Sequence, residues 1–266
     1  MNAQRPLPAG PFQRMLVLGD SIAYGMCAHS AENEFPQVAA QLLRRFQGGE
    51  LTVLNRALPA EVISPRAPGY EESAKPSLIE RYWRHAIPEG PDLVLIAEGL
   101  NDMRCGMPVQ DYMSDLEQIV TDIQRETGAL VVLVGIYHQI QGRGANDPTL
   151  YPTWTRWDPQ IAWLFNEATR LVARRRNALF VDALAILNGA DWTLNTDCCH
   201  LNDLGHVLIG HGVFQVIATH CSGVGAATMQ QIDDLAISIL NTGGTDADDE
   251  IRDLWMQAAA RFGVTW

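Results

Sequence analysis

Five short apolar runs, each separated from the next by a segment of helical spacing, constrain this chain more than any other feature. The runs cover residues 14–19, 51–57, 92–98, 129–136 and 178–184 and are rich in Val, Leu and Ile. A strand with one wet face alternates apolar and polar residues. Continuous apolar runs mark strands buried on both faces, as in parallel sheets covered by helices. Helical patterns lie between the runs at 35–47, 76–87, 110–127 and 158–176. The first of these has Pro36 in its first turn and Gly48-Gly49 directly after it, a start signal and a stop signal. Alternating strand and helix implies a parallel sheet with right-handed crossovers. The expected fold is therefore α/β: a three-layer α/β/α sandwich around a five-stranded parallel sheet with flavodoxin-like strand order.

With 266 residues, the chain has room for one large α/β domain and an appendage. Residues 1–221 are read as the main domain. Residues 222–266 are read as a C-terminal helical hairpin, with one stripe of Met229, Ile232, Leu235 and Ile239 and a second of Ile251, Leu254, Trp255 and Phe262, broken at Gly243-Gly244. The hairpin packs on its own domain, joins two copies into a homo-oligomer or covers the mouth of a site; the pattern fits all three. A long connection from His138 to Asp158 carries Tyr151, Trp154 and Trp157, and loops of that length in compact domains are usually functional or disordered. Its aromatic residues argue against disorder.

Charge and cysteine usage exclude several functions. The net charge of −12 and a pI of about 4.9 disfavour nucleic acid and anionic membrane surfaces as partners. The five cysteines are odd in number and have no CxxC spacing, which argues against a disulfide framework or a structural zinc site. No metal or other cofactor is expected. No run approaches the roughly 20 apolar residues of a membrane helix, and the chain reads as a soluble, cytoplasmic protein.

Three polar clusters stand at the mouths of these elements. Ser21 follows Leu18-Gly19-Asp20 on the turn leaving the first strand, at the carboxyl edge where open α/β sheets bind ligands. Gly99-Leu100-Asn101-Asp102 follows the third run, and Asp197-Cys198-Cys199-His200 lies near the end of the main domain. A hydroxyl becomes a nucleophile when a histidine reaches it and a carboxylate orients that histidine. The spacing of Asp197 and His200 lets one turn hold both. Asp182 ends a strand without a neighbouring histidine and reads as structural. His206 and His211 read as packing or capping groups, and His138 is a candidate for the cleft wall.

In this order, the three clusters resemble the SGNH/GDSL hydrolase superfamily over roughly residues 14–220. That resemblance implies a serine esterase: Ser21 as nucleophile, His200 as base and Asp197 as its orienting acid. It assigns the oxyanion to the Ser21 N–H, the Asn101 side chain and a backbone N–H from a second block. The family has glycine in that block, a few residues after a strand ending in asparagine. Here the stretch reads Asn55-Arg56-Ala57-Leu58-Pro59-Ala60, so Ala60 takes the glycine's place. Alanine is strained there if the backbone needs positive φ. Asp20, Trp154 and Trp157 are candidate substrate contacts; the tryptophans either meet a sugar ring or acyl chain or anchor the loop. The expected partner is a small-molecule ester. An acyltransferase using the same acyl-enzyme and a non-catalytic binding protein on the same scaffold are the alternatives.

Overall fold

The computed structural model describes residues 7–156 and 158–225. The strands are β1 (Arg14–Gly19), β2 (Thr52–Asn55), β3 (Leu93–Ala97), β4 (Leu130–Val134) and β5 (Leu179–Val181). They form one parallel sheet in the order β2-β1-β3-β4-β5, the flavodoxin-like order expected from the sequence. β3 and β4 are buried along their whole length, which is why they read as unbroken apolar runs.

Among the described residues, eight α-helices surround the sheet: α1 (Ser21–Tyr24), α2 (Phe35–Gln47), α3 (Leu78–Glu89), α4 (Leu100–Cys105), α5 (Val109–Thr127), α6 (Pro159–Arg176), α7 (Ala183–Leu187) and α8 (Asp203–His220). The chain moves outward from β1 to β2, then crosses back to β3, β4 and β5. Right-handed crossovers therefore put α2 on one face and α3, α5 and α6 on the other. The packing agrees: α5 lies between α3 and α6, and α8 returns after β5 to pack on α2.

The strand ends differ from the sequence reading where a side chain bonds the local backbone. β2 stops at Asn55 because its Oδ1 accepts from Ala57 N–H at 3.0 Å and its Nδ2 donates to Ala23 O at 2.9 Å. β5 stops at Val181 because Asp182 leaves the sheet and caps α7, accepting from Ala185 N–H at 3.0 Å. Periodicity does not reveal such local bonds. The expected hairpin over 222–266 lies outside the described residues, apart from a 3-10 turn at Ser222–Gly225. Among the described residues, no helix is long and apolar enough to cross a membrane.

β1 ends in a tight approach. Gly19 has φ +130°, and a Cβ there would lie 1.9 Å from Ala97 O. Only glycine fits, and this lets the chain turn sharply off the sheet edge into Asp20-Ser21.

Candidate active site

Ser21 begins α1, a single turn ended by Gly25. Asp20 caps that turn, its Oδ1 accepting from Ile22 N–H at 2.8 Å. The Ser21 hydroxyl thus stands at a helix N-terminus at the carboxyl end of β1.

His200 and Asp197 come from a loop before α8. The loop is closed by an antiparallel bridge between Leu194 and Leu201 and by Asn195 N–H donating to His200 O at 2.8 Å. Asn202 anchors its exit: its Oδ1 accepts from Gly205 N–H at 3.0 Å, capping α8, and its Nδ2 donates to Leu194 O at 3.1 Å. Within the loop, Asp197 Oδ1 accepts from the backbone N–H groups of Cys199 and His200 at 3.1 and 3.0 Å. That turns its other oxygen toward the imidazole. Oδ2 lies 2.5 Å from His200 Nδ1, and His200 Nε2 lies 2.9 Å from Ser21 Oγ. With Nδ1 protonated and donating to the carboxylate, Nε2 is the acceptor facing the hydroxyl. Burial pushes the Asp197 carboxyl up, but the hydrogen bonds from the His200 ring and from the two backbone N–H groups outweigh it and hold it below the usual carboxylate range. It stays ionised, as an orienting group must.

The segments that carry the three expected oxyanion donors are bonded to one another. Leu58 N–H donates to Gly19 O at 2.8 Å, tying the turn before Ala60 to the end of β1. Asn101, in the first turn of α4 and 5% exposed, donates one Nδ2 proton to Glu61 O at 2.9 Å, beside Ala60. The second proton on Nδ2 remains. The backbone N–H groups of Ser21 and Ala60 form no hydrogen bond among the described residues. Ala60 has φ +64°, the left-handed region in which the family's glycine would be unstrained.

The other candidates have the following surroundings. Asp20, a candidate substrate contact by sequence, is 1% exposed and caps the turn that carries Ser21. Burial pushes its carboxyl up to about 6. Trp154 is partly buried on the core, close enough that a Cβ on Gly69 would lie 2.6 Å from its ring. Trp157 lies outside the described residues. His206 is fully buried, stacks on Phe35 and bonds Met26 O at 3.0 Å. His138 is buried, 3.4 Å from Asp191.

Two supports carry no mark in the sequence. Glu61 and Arg81 form a buried, doubly hydrogen-bonded ion pair that fixes the backbone receiving Asn101. The start of the 138–158 connection braces the catalytic loop: Ile140 N–H donates to Cys198 O at 3.1 Å, Ala145 N–H to Asp197 O at 2.9 Å and Gln139 Nε2 to Cys199 O at 2.8 Å. Cys27 also reaches the loop, its Sγ 3.9 Å from Asp197 Oδ2. One ligand atom from each of Cys27, Asp197 and His200 lies within 4.8 Å of the others, a metal-ligating set of residue types. Asp197 Oδ2 and His200 Nδ1 in that set are already bonded to each other. Cys27 and Asp197 stand 170 positions apart, so no spacing motif marks the grouping.

Residues 17–208 match the model of the GDSL-like lipase/acylhydrolase family. Among solved structures, the chain is similar to TesA, with a TM-score of 0.58 and 21% identity over 77% of this chain and 98% of that one. A catalytic mutant of Axe2, an acetylxylan esterase from Geobacillus stearothermophilus, aligns with a TM-score of 0.59 and 18% identity, covering 80% of this chain and 96% of that one. A putative GDSL-like lipase from Parabacteroides merdae aligns with a TM-score of 0.61 and 17% identity, covering 83% and 100%. No curated protein sequence matches the chain.

Proposed function

The chain belongs to the GDSL-like lipase/acylhydrolase family, and from that premise we propose that it hydrolyses a short acyl ester or an acetylated carbohydrate through an acyl-enzyme on Ser21. One observation carries the reading: the unbroken relay from Asp197 Oδ2 through His200 to Ser21 Oγ, at 2.5 and 2.9 Å. Ser21 Oγ attacks the ester carbonyl as its proton passes to His200 Nε2. The carboxylate of Asp197 holds the imidazole in the required tautomer and stabilises the imidazolium. Negative charge develops on the carbonyl oxygen and meets the N–H groups of Ser21 and Ala60 and the free Nδ2 proton of Asn101. Collapse expels the alcohol, which takes the proton from Nε2. Water then attacks the acyl-enzyme, gives its proton to Nε2, and the second collapse releases the acid and returns the proton to Ser21.

The substrate half of the reading is supported by the fold shared with an acetylxylan esterase. Labelling with a fluorophosphonate tests the nucleophile: the wild-type chain should be labelled and Ser21→Ala should not. A panel of p-nitrophenyl esters of increasing acyl length, run beside acetylated sugars, tests the substrate. The highest kcat/KM should fall on acetyl esters. Full turnover by Ser21→Ala would overturn the mechanism, and a preference for long acyl chains would overturn the substrate class. Product transfer to added alcohols in place of water would make the chain an acyltransferase.

A further inference from the structure

Arg104 lies in the last turn of α4, three residues after Asn101, and is 7% exposed. Its Nη1 donates to Asn101 Oδ1 at 3.3 Å, its Nε to Asn146 Oδ1 at 3.1 Å and its Nη2 to Ala145 O at 2.6 Å. Among the described residues the guanidinium has no carboxylate partner; all three bonds go to neutral oxygens.

We propose that Arg104 is the positioning residue for the oxyanion donor: it fixes the orientation of the Asn101 amide and locks the helix carrying it to the segment that braces the catalytic loop. This rests on the hydrolase reading above. An arginine has donors and no acceptor, so the group it meets on Asn101 must be the carbonyl oxygen. That leaves the NH₂ group on the other side, where one proton binds Glu61 O at 2.9 Å and the second is free for the substrate. A flipped amide would set NH₂ against guanidinium and present an oxygen to the developing oxyanion, repelling the charge it should stabilise.

The same fork reaches the base. Asn146 is 2% exposed and donates through Nδ2 to Ile140 O at 3.1 Å and to Cys198 O at 3.0 Å. Ala145 holds Asp197 O. Through Asn146 and Ala145, one planar group therefore ties the donor on α4 to Asp197 and Cys198 of the loop that carries His200. Lysine is a point charge without a fork and cannot satisfy Asn101, Asn146 and Ala145 in this fixed geometry. A guanidinium without a carboxylate partner also favours negative charge forming beside it.

The test is a double-mutant cycle of Arg104→Met with Asn101→Ala, read as steady-state kinetics on p-nitrophenyl acetate. Arg104→Met should lower kcat by roughly 10- to 100-fold with KM within about twofold, bounded by the loss of the donor itself. In the Asn101→Ala background the same change should lower kcat by less than about threefold, since the amide it positions is gone. Arg104→Lys should recover only part of the loss; full recovery would assign the effect to charge alone and overturn the positioning role. If Arg104→Met does not fold, Arg104→Lys runs the same cycle, and the same non-additivity is expected. Additive effects, or a folded variant with unchanged kcat, would overturn the proposal. A wild-type chain that the fluorophosphonate does not label overturns the hydrolase reading and this inference with it. A labelled, active wild type with an additive cycle overturns this inference alone.

Discussion

At Ala60 a methyl group occupies backbone territory that glycine holds at lower energy. The left-handed conformation, at φ +64°, costs an L-residue roughly 1–2 kcal/mol, and glycine's extra freedom in the unfolded chain gives back about 0.4–1 kcal/mol of that. Ala60→Gly should therefore raise stability by up to about 1.6 kcal/mol in denaturant melts and retain activity, since the N–H stays where it was. A lower midpoint with lost turnover would show that the methyl shapes the acyl pocket. Asn101 differs in kind, because in the proposed mechanism its amide meets charge only as the reaction proceeds. Asn101→Ala should lower kcat by roughly 10²–10³-fold with little change in KM. A change confined to KM would make Asn101 a ground-state binding group.

The catalytic loop shows what an element requires beyond its own residues. Its closing bonds are local, but its position depends on the 138–147 stretch pressed against it. Gly144 has φ +56°, and a Cβ there would lie 2.1 Å from Asp197 O, a backbone atom with no freedom to step aside. Gly144→Ala should displace Asp197 and His200 from Ser21. A displacement near 1 Å can lower turnover by about 10²-fold. The expected result is a loss of kcat of at least about tenfold with native circular dichroism and fluorophosphonate labelling slowed in parallel. Unchanged kinetics would mean that the 138–147 stretch does not set the loop's position.

Taken as a whole, the molecule buries an unusual set of acids under its active edge. Glu98 is 4% exposed, and neither carboxylate oxygen has a hydrogen-bond partner among the described residues. Burial, reinforced by Asp20, Glu61 and Asp102, pushes its carboxyl well up. Burial likewise pushes Asp20 up to about 6 and Asp102 up to about 7. A carboxyl raised by folding stabilises the native state fully below its unfolded pKa, about 4, and loses that contribution as pH rises through its folded value. The melting temperature should therefore fall between about pH 5 and pH 8, with the net charge of −12 acting in the same direction. Asp197 works oppositely, but its contribution is lost only below about pH 4, outside this window. Glu98→Gln keeps the shape and cannot ionise, so its melting temperature should fall less over the same interval. Parallel slopes for the two proteins would show that Glu98 does not titrate against folding.

The sheet, its strand order and the places where Ser21, Asn101 and the Asp197–His200 turn stand were legible in the sequence. Each rests on short-range rules: continuous apolar runs, right-handed crossovers and a carboxylate three residues before a histidine. The capping role of Asp20 was not legible, because a cap and a substrate contact look alike until burial is known. The φ of Ala60, the Glu61–Arg81 clamp, Cys27 beside Asp197 and the Arg104 fork through Asn146 were decided only by tertiary structure. The three contacts join residues 20, 170 and 42 positions apart, and whether two such groups meet depends on how the layers pack, which no local pattern encodes.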